Sequence, residues 1–177
     1  MEVKKKLRFF DGIDYAKEQD YLQRRHREGW KLVKISKLGM YYFEKCEPED
    51  VVYQLDFNKP GTFYKEEYIK MFSDCGWEYL QEYGGYAYFR KNAAAMNGDE
   101  EIFCDADTRL AMIKRIYKAF THPHSVLAVV WITLSLIWLF SNDYVKAAIY
   151  AVIGIGYLLL VISYGIRYRR VKATLRK

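Results

Sequence analysis

The chain has 177 residues, which suits one modest domain with an appendage and not two full-sized domains. Its net charge of +6 is unevenly held: residues 1–105 carry 17 Lys/Arg against 20 Asp/Glu, whereas residues 106–177 carry 11 against 2. This split argues against a phosphate-contacting face and reads the basic excess as charge flanking membrane segments. Cys46, Cys75 and Cys104 are odd in number and widely spaced, which fits free thiols better than a disulfide framework or a zinc site. The apolar run at 7–10 is too short for a signal-peptide core, and Asp11 and Asp14 follow it, so residues 1–105 are expected to form a cytoplasmic domain.

In chain order, a strand is expected at 5–10 and a helix at 15–28, capped by Asp14 and stopped by Gly29. Strands follow at 30–35 and 40–45 around a Leu38-Gly39 turn. The next strand is expected at 51–57. A helix then starts at Pro60-Gly61-Thr62, with Tyr64, Tyr68, Met71, Phe72 and Cys75 at helical spacing. Gly76 ends it; strands at 77–80 and 86–90 enclose Gly84-Gly85, and a short strand at 101–104 closes the domain.

These elements repeat. Tyr21 and Gly29-Trp30 recur as Tyr68 and Gly76-Trp77 at an offset of 47 residues, and Tyr42-Phe43 recurs as Tyr88-Phe89 after one deletion. The fold class is therefore α+β: a duplicated βαββ unit (5–50 and 51–105) forming an antiparallel sheet with its helices on one face, followed by a two-helix transmembrane hairpin. Trp30 and Trp77 are expected to lock each helix end against the sheet, with ligand stacking as the alternative.

Residues 106–121 read as an amphipathic juxtamembrane helix capped by Asp105, with Leu110, Ile113, Tyr117 and Phe120 on one face. Pattern alone leaves open whether it lies on the bilayer or continues the first span. Spans are expected at 122–140 and 146–166, since the uncharged stretches there reach about 27–30 Å as helix. Lys114, Arg115 and Lys118 precede the hairpin and the basic tail 167–177 follows it, so both termini are expected in the cytoplasm. Ala147, Ala151 and Gly154 form a small-residue stripe for close helix packing. The stretches 123–140 and 147–166 hold no Asp, Glu, Lys or Arg, the usual mark of an ion pathway.

No nucleotide-binding, zinc-protease or nucleophile-elbow motif occurs, and neither a catalytic residue, a metal site nor a cofactor is expected. His26 sits among Arg24, Arg25 and Arg27 and is read as solvated surface. His122 and His124 bracket Pro123 at the membrane boundary and are too few for a metal. Acidic pairs such as Glu66-Glu67 and Glu100-Glu101 have no identifiable cleft around them. With 17 Tyr and 10 Phe, strand alternation is expected to expose Tyr42, Tyr86 and Tyr88 as candidates for binding a protein partner or a second copy. RNA stacking on such a sheet is the rival reading; the acidic balance of the domain argues for no nucleic acid, and a basic patch beside an exposed Tyr would revive it. The expected function is thus a membrane-anchored interaction or sensory module. A lipid- or small-molecule-responsive module and a membrane-associated enzyme are the alternatives.

The opening KLRFF, the EGWKL and CGWEY pair, GGYAYFR, EIFCDADTRL and the terminal helix pair together resemble a bacterial family of uncharacterised membrane proteins, domain of unknown function 2812. The resemblance covers nearly the whole chain, and its most specific element is the Gly-Trp repeat. It implies a cytoplasmic-membrane protein of Gram-positive bacteria, sometimes encoded beside a small transcriptional regulator. It carries over no catalytic or binding residue.

Overall fold

Among the described residues the chain forms six strands, and the first three helices each end in a turn. The computed structural model describes residues 2–57, 65–96 and 106–175. The expected helix start at 60–62, the strand at 101–104, the Asp105 cap and Cys104 lie outside them. In order the elements are β1 (Val3–Leu7), α1 (Tyr15–Arg27), β2 (Trp30–Ile35), β3 (Met40–Lys45), β4 (Val51–Phe57), α2 (Lys65–Asp74), β5 (Glu78–Tyr83), β6 (Tyr86–Asn92), α3 (Ala106–Phe140) and α4 (Tyr144–Leu175). They divide into two units, Met1–Met112 and Ile113–Lys177.

The duplication is present in the first unit. Each repeat closes its own three-stranded antiparallel sheet, ordered β1-β3-β2 and β4-β6-β5. The likeness extends to register. Lys34 pairs with Tyr42 as Gln81 pairs with Tyr88, and both outer ladders slip at the equivalent place, between Leu32 and Lys34 and between Tyr79 and Gln81. Even the cross-strand ion pair recurs with its charges exchanged: Lys31–Glu44 in one sheet, Glu78–Arg90 in the other. After each helix the chain turns at a glycine in the left-handed region, Gly29 and Gly76, both at φ +80°. Such a φ strains any residue with a Cβ, which explains the glycine in each Gly-Trp pair.

Each helix covers the equivalent face of its own sheet. Tyr21 of α1 packs on Tyr41 and Phe43, and Tyr68 and Phe72 of α2 pack on Phe89. The helix α1 has a second duty, because its other side lies on the second sheet: Tyr15 stacks on Tyr86, and Glu18 and His26 meet Tyr88 and Tyr53. The second sheet is thus covered on both faces, by α1 and by α2, so the two helices do not share one face of a single sheet. The bulge in β2 disturbs its ladder, and the second repeat supplies the missing partners. Gln81 accepts from the Ile35 N–H and donates to its carbonyl, Tyr53 accepts from the Leu32 N–H, and Arg90 donates to the Leu32 carbonyl. The sheets therefore meet edge to edge, β2 against β5, through side chains instead of a continuous ladder.

The tryptophans differ. Trp77 is buried with Phe72, Ala87 and Phe89, as a lock on the helix end requires. Trp30 is only half-buried, and the Lys4 ammonium lies 4.0 Å from its ring centre. Asp14 stands at the start of α1, but its side chain makes no capping bond and holds Lys17 at 2.8 Å. Cys46 and Cys75 are free thiols.

In the second unit α3 and α4 form an antiparallel pair. α3 is one continuous helix with Pro123 inside it, so the amphipathic segment and the first apolar stretch are a single element. Around that proline, side chains bond back to carbonyls one turn earlier: Thr121 to Tyr117, His124 to Phe120 and Ser125 to Thr121. Both helices are long and apolar enough to cross a membrane, and only 6% and 11% of their apolar windows are buried within the protein. Apolar helices of that length left uncovered call for lipid around them. The small-residue stripe faces α3: Ala147 is buried and its carbonyl accepts from Ser135, and a Cβ on Gly154 would stand 2.9 Å from Ile132 Cγ1. Ala151, between them, is half-buried.

Candidate functional site

The chemistry of the first unit gathers along one side of α1. Glu18, Leu22 and His26 recur at a spacing of four and so share a helix face, and all three are buried. Glu18 Oε1 accepts two hydroxyl hydrogen bonds, from Tyr41 of the first sheet at 2.5 Å and from Tyr88 of the second at 2.6 Å. Burial pushes the Glu18 carboxyl pKa up, and the two hydroxyl bonds oppose that rise without cancelling it. Burial and the neighbouring carboxylate push the Tyr41 and Tyr88 hydroxyls up in turn, so both remain donors.

Two turns further on, His26 Nδ1 lies 2.9 Å from the Tyr53 hydroxyl. That hydroxyl accepts from the Leu32 N–H, which leaves its own proton for Nδ1. The imidazole is therefore the Nε2–H tautomer. Burial, with Arg90 and Lys31 nearby, pushes its pKa down and keeps it neutral. This overturns the reading of His26 as solvated surface. The surrounding arginines suggested a wet helix face, but its spacing from Leu22 turns it inward.

A cleft of about 400 Å³ opens beside this histidine, between the repeats, lined among others by His26, Lys31, Cys46, Glu47, Glu78 and Arg90. Its strongest charges are committed. Arg90 grips Glu78 with two bonds of 2.6 and 2.7 Å, and Lys31 pairs with Glu44 at 3.2 Å. What the cleft offers a small molecule is the Nε2–H edge, the Glu47 carboxylate and the half-buried Cys46 thiol. Among the described residues, no three His, Cys, Asp or Glu side chains converge as a metal-binding set.

The tyrosines singled out from alternation part company. Tyr86 and Tyr88 are 4% and 1% exposed, and their hydroxyls donate to the Gly12 carbonyl and to Glu18. They are core residues and do not form a partner surface, because α1 covers the face that alternation left open. Tyr42 occupies the corresponding position in the first sheet, where no described helix reaches. It is half-buried, with the Lys34 and Lys5 ammonium groups 4.8 and 5.5 Å from its ring centre. This is a basic patch beside a partly exposed tyrosine.

Sequence reasoning missed Glu18, Tyr41 and Tyr53. For Glu18 the signal was available, since it stands four residues before Leu22 and eight before His26. For the tyrosines it was not, because Tyr41 meets a helix residue 23 positions away and Tyr53 meets His26 and Leu32 of the other repeat.

A duplicated βαββ domain followed by two long apolar helices defines a membrane-associated class of protein. Residues 14–123, from the start of α1 to the proline in α3, match the family described as Protein of unknown function (DUF2812), and the chain belongs to that family. No curated protein matches the chain, and no solved structure does.

Two outcomes follow for the buried network. Replacing Glu18 with Ala leaves two buried hydroxyls without an acceptor and is expected to cost about 2–4 kcal/mol. Glu18→Gln keeps a carbonyl oxygen there and is expected to stay within about 1 kcal/mol of the parent, as read by chemical denaturation of the solubilised chain followed by tyrosine fluorescence. For His26 the folded pKa lies below the ordinary value of 6.5, so as pH falls below 6.5 the unfolded chain takes up a proton that the fold refuses. The stability due to His26 is complete above pH 6.5 and is lost on acidification through its folded pKa. Melting curves at pH 7.5 and 5.5 are expected to show a larger acid loss for the parent than for His26→Gln; equal losses would contradict the buried neutral imidazole.

Proposed function

We propose that this chain is a membrane-anchored, non-enzymatic interaction module whose cytoplasmic domain binds a protein partner through the outer face of its first sheet. The observation that carries this reading is Tyr42, held between Lys5 and Lys34 on a sheet face that solvent reaches. Tyrosine is enriched in binding surfaces, whose rims are polar. The buried ionisable side chains support the same reading, since Glu18 and His26 are engaged in internal hydrogen bonds. RNA is the weaker occupant because a stacked base needs the ring face that Lys5 and Lys34 already cover.

The anchor is the α3–α4 pair, with both termini on the cytoplasmic side. Support comes from the basic residues, which flank the hairpin at its open end, whereas the connector offers only Lys146, paired with Asp143 at 2.8 Å. In a cysteine-free background, a cysteine at Asn142 is expected to react with an impermeant maleimide added to intact cells, and one at Val3 is not. The reverse pattern would reject the topology.

A second reading, a small-molecule-responsive module, is favoured by the cleft beside His26 with its Nε2–H edge. One experiment separates the two. The native chain and a folded Tyr42→Ala variant are purified from membranes in mild detergent, and captured proteins and small molecules are identified by mass spectrometry. A stoichiometric protein lost at least about ten-fold in the variant is the expected result. A retained metabolite without such a protein would move the assignment to the cleft.

A further inference from the structure

The internal duplication says more about the Tyr42 face than its composition does. In the second sheet one face is the seat of a helix: α1 lies on Tyr53, Tyr86 and Tyr88 through His26, Tyr15 and Glu18. Register identifies the matching face of the first sheet. Tyr88 pairs with Leu55 and Gln81, and Tyr42 pairs with Lys5 and Lys34. Arg90 faces Tyr53 as Glu44 faces Val3, and Tyr86 faces Phe57 as Met40 faces Leu7. Every position of the helix seat therefore has a counterpart. In the second sheet Tyr53 and Phe57 are buried, whereas their counterparts Val3 and Leu7 are 54% and 56% exposed. The first sheet thus presents a helix seat with no helix on it among the described residues.

Charge specifies the occupant. At the centre of the seat, Lys5 replaces Leu55 and Lys34 replaces Gln81, and neither lysine forms an ion pair among the described residues; both lie over Tyr42. Residues 1–45 as a whole hold 12 Lys/Arg against 7 Asp/Glu. A helix seated there meets positive potential where α1 meets a tyrosine hydroxyl and leucine. The chain's own α2 fits poorly, because in the repeat alignment Lys65 takes the place of Glu18 and would face Lys5 and Lys34.

We infer that the outer face of the first sheet receives an acidic amphipathic helix of a partner protein, seated as α1 is seated on the second sheet, with a carboxylate in the place of Glu18. Tyr42 donates its hydroxyl to that carboxylate, as Tyr88 does to Glu18, and Lys5 and Lys34 flank it. Val3 and Leu7 contact the apolar stripe of the helix. This rests on the protein-partner reading above and names the shape and charge of what binds.

The test uses the full chain in detergent and a lactam-stapled, fluorescently labelled peptide of the α1 sequence 15–28 with Lys17, Arg24, Arg25 and Arg27 replaced by Glu. Binding is read by anisotropy at low salt, and a second peptide carries Lys in place of Glu18. Saturable binding of the first peptide is expected, weakened at least about ten-fold by Lys5→Glu/Lys34→Glu and by added salt, with the second peptide weaker than the first. Tyr42→Phe, which keeps the ring and removes the hydroxyl, is expected to weaken the first peptide more than the second.

Equal affinity of both peptides, or an unchanged affinity in the double charge reversal, would overturn the inference. So would self-association of the chain that the peptide cannot displace, since a second copy would then hold the seat. If the peptide fails while a membrane protein is still captured in a Tyr42-dependent way, the helix seat falls and the partner reading stands. Retained melting temperature in each variant separates lost binding from lost folding; if the double reversal does not fold, Lys34→Gln, the residue of the second repeat, carries the comparison.

Discussion

A buried carboxylate tolerates no arbitrary surroundings. Glu18 sits on the core face of α1, and taking it out of water is unfavourable unless hydrogen bonds replace those it leaves behind. Two hydroxyls do so, and they come from different sheets, Tyr41 from β3 and Tyr88 from β6. Both repeats must therefore close around the same helix, each in one register, because a one-residue slip of β3 or β6 would turn its tyrosine to the opposite face. The contact between β2 and β5 obeys the same logic. The bulge in β2 leaves backbone groups of Leu32 and Ile35 to be satisfied, and Tyr53, Arg90 and Gln81 of the second repeat satisfy them.

Duplication in this arrangement is directional. The first repeat's helix serves two sheets, its own and the next, and α2 covers the other face of the second sheet. The two outer sides of this arrangement are unlike. At one, α2 turns exposed Glu66, Glu67 and Lys70 to solvent, as a capping layer does. At the other, the first sheet keeps a face that no described helix covers, with exposed Val3 and Leu7 beside lysines. Lysine on β1, an edge strand exposed along its whole length, also opposes pairing with another strand, so a helix is a better fit to this face than a strand addition.

The helical pair of the second unit follows different rules. Lipid gives no hydrophobic drive between helices, so close approach and local hydrogen bonding hold them. Gly154 lets α4 approach Ile132, Ser135 bonds across to the Ala147 carbonyl, and Trp131 stacks on Tyr150 with ring centres 5.6 Å apart. Near the basic ends of the pair, Tyr117 stacks on Tyr168 at 4.7 Å and His124 packs between Tyr157 and Tyr164. Interfacial placement had been the reading of His124, and its contacts are those of a ring wedged between the two helices.

Local chemistry was legible in the sequence. Gly29 and Gly76 announced the helix stops because only glycine accepts their backbone conformation readily, the paired Gly-Trp and Tyr-Phe signatures exposed the duplication, and two long uncharged stretches required lipid. Tyr86 and Tyr88 share one side of β6, and Tyr42 lies on the corresponding side of β3. Periodicity could not say which face would be covered. That depends on which helix arrives from elsewhere: α1 covers the second repeat's face, and no described helix covers the first repeat's. His26 and Glu18 were hidden for the same reason, since a charged or polar residue on a helix reads as solvated until a hydroxyl from a distant strand is known to meet it. Sequence determined the elements and their faces because these depend on neighbours a few residues apart; the tertiary structure alone decided burial and pairing, because those depend on residues brought together from 23 to 70 positions away.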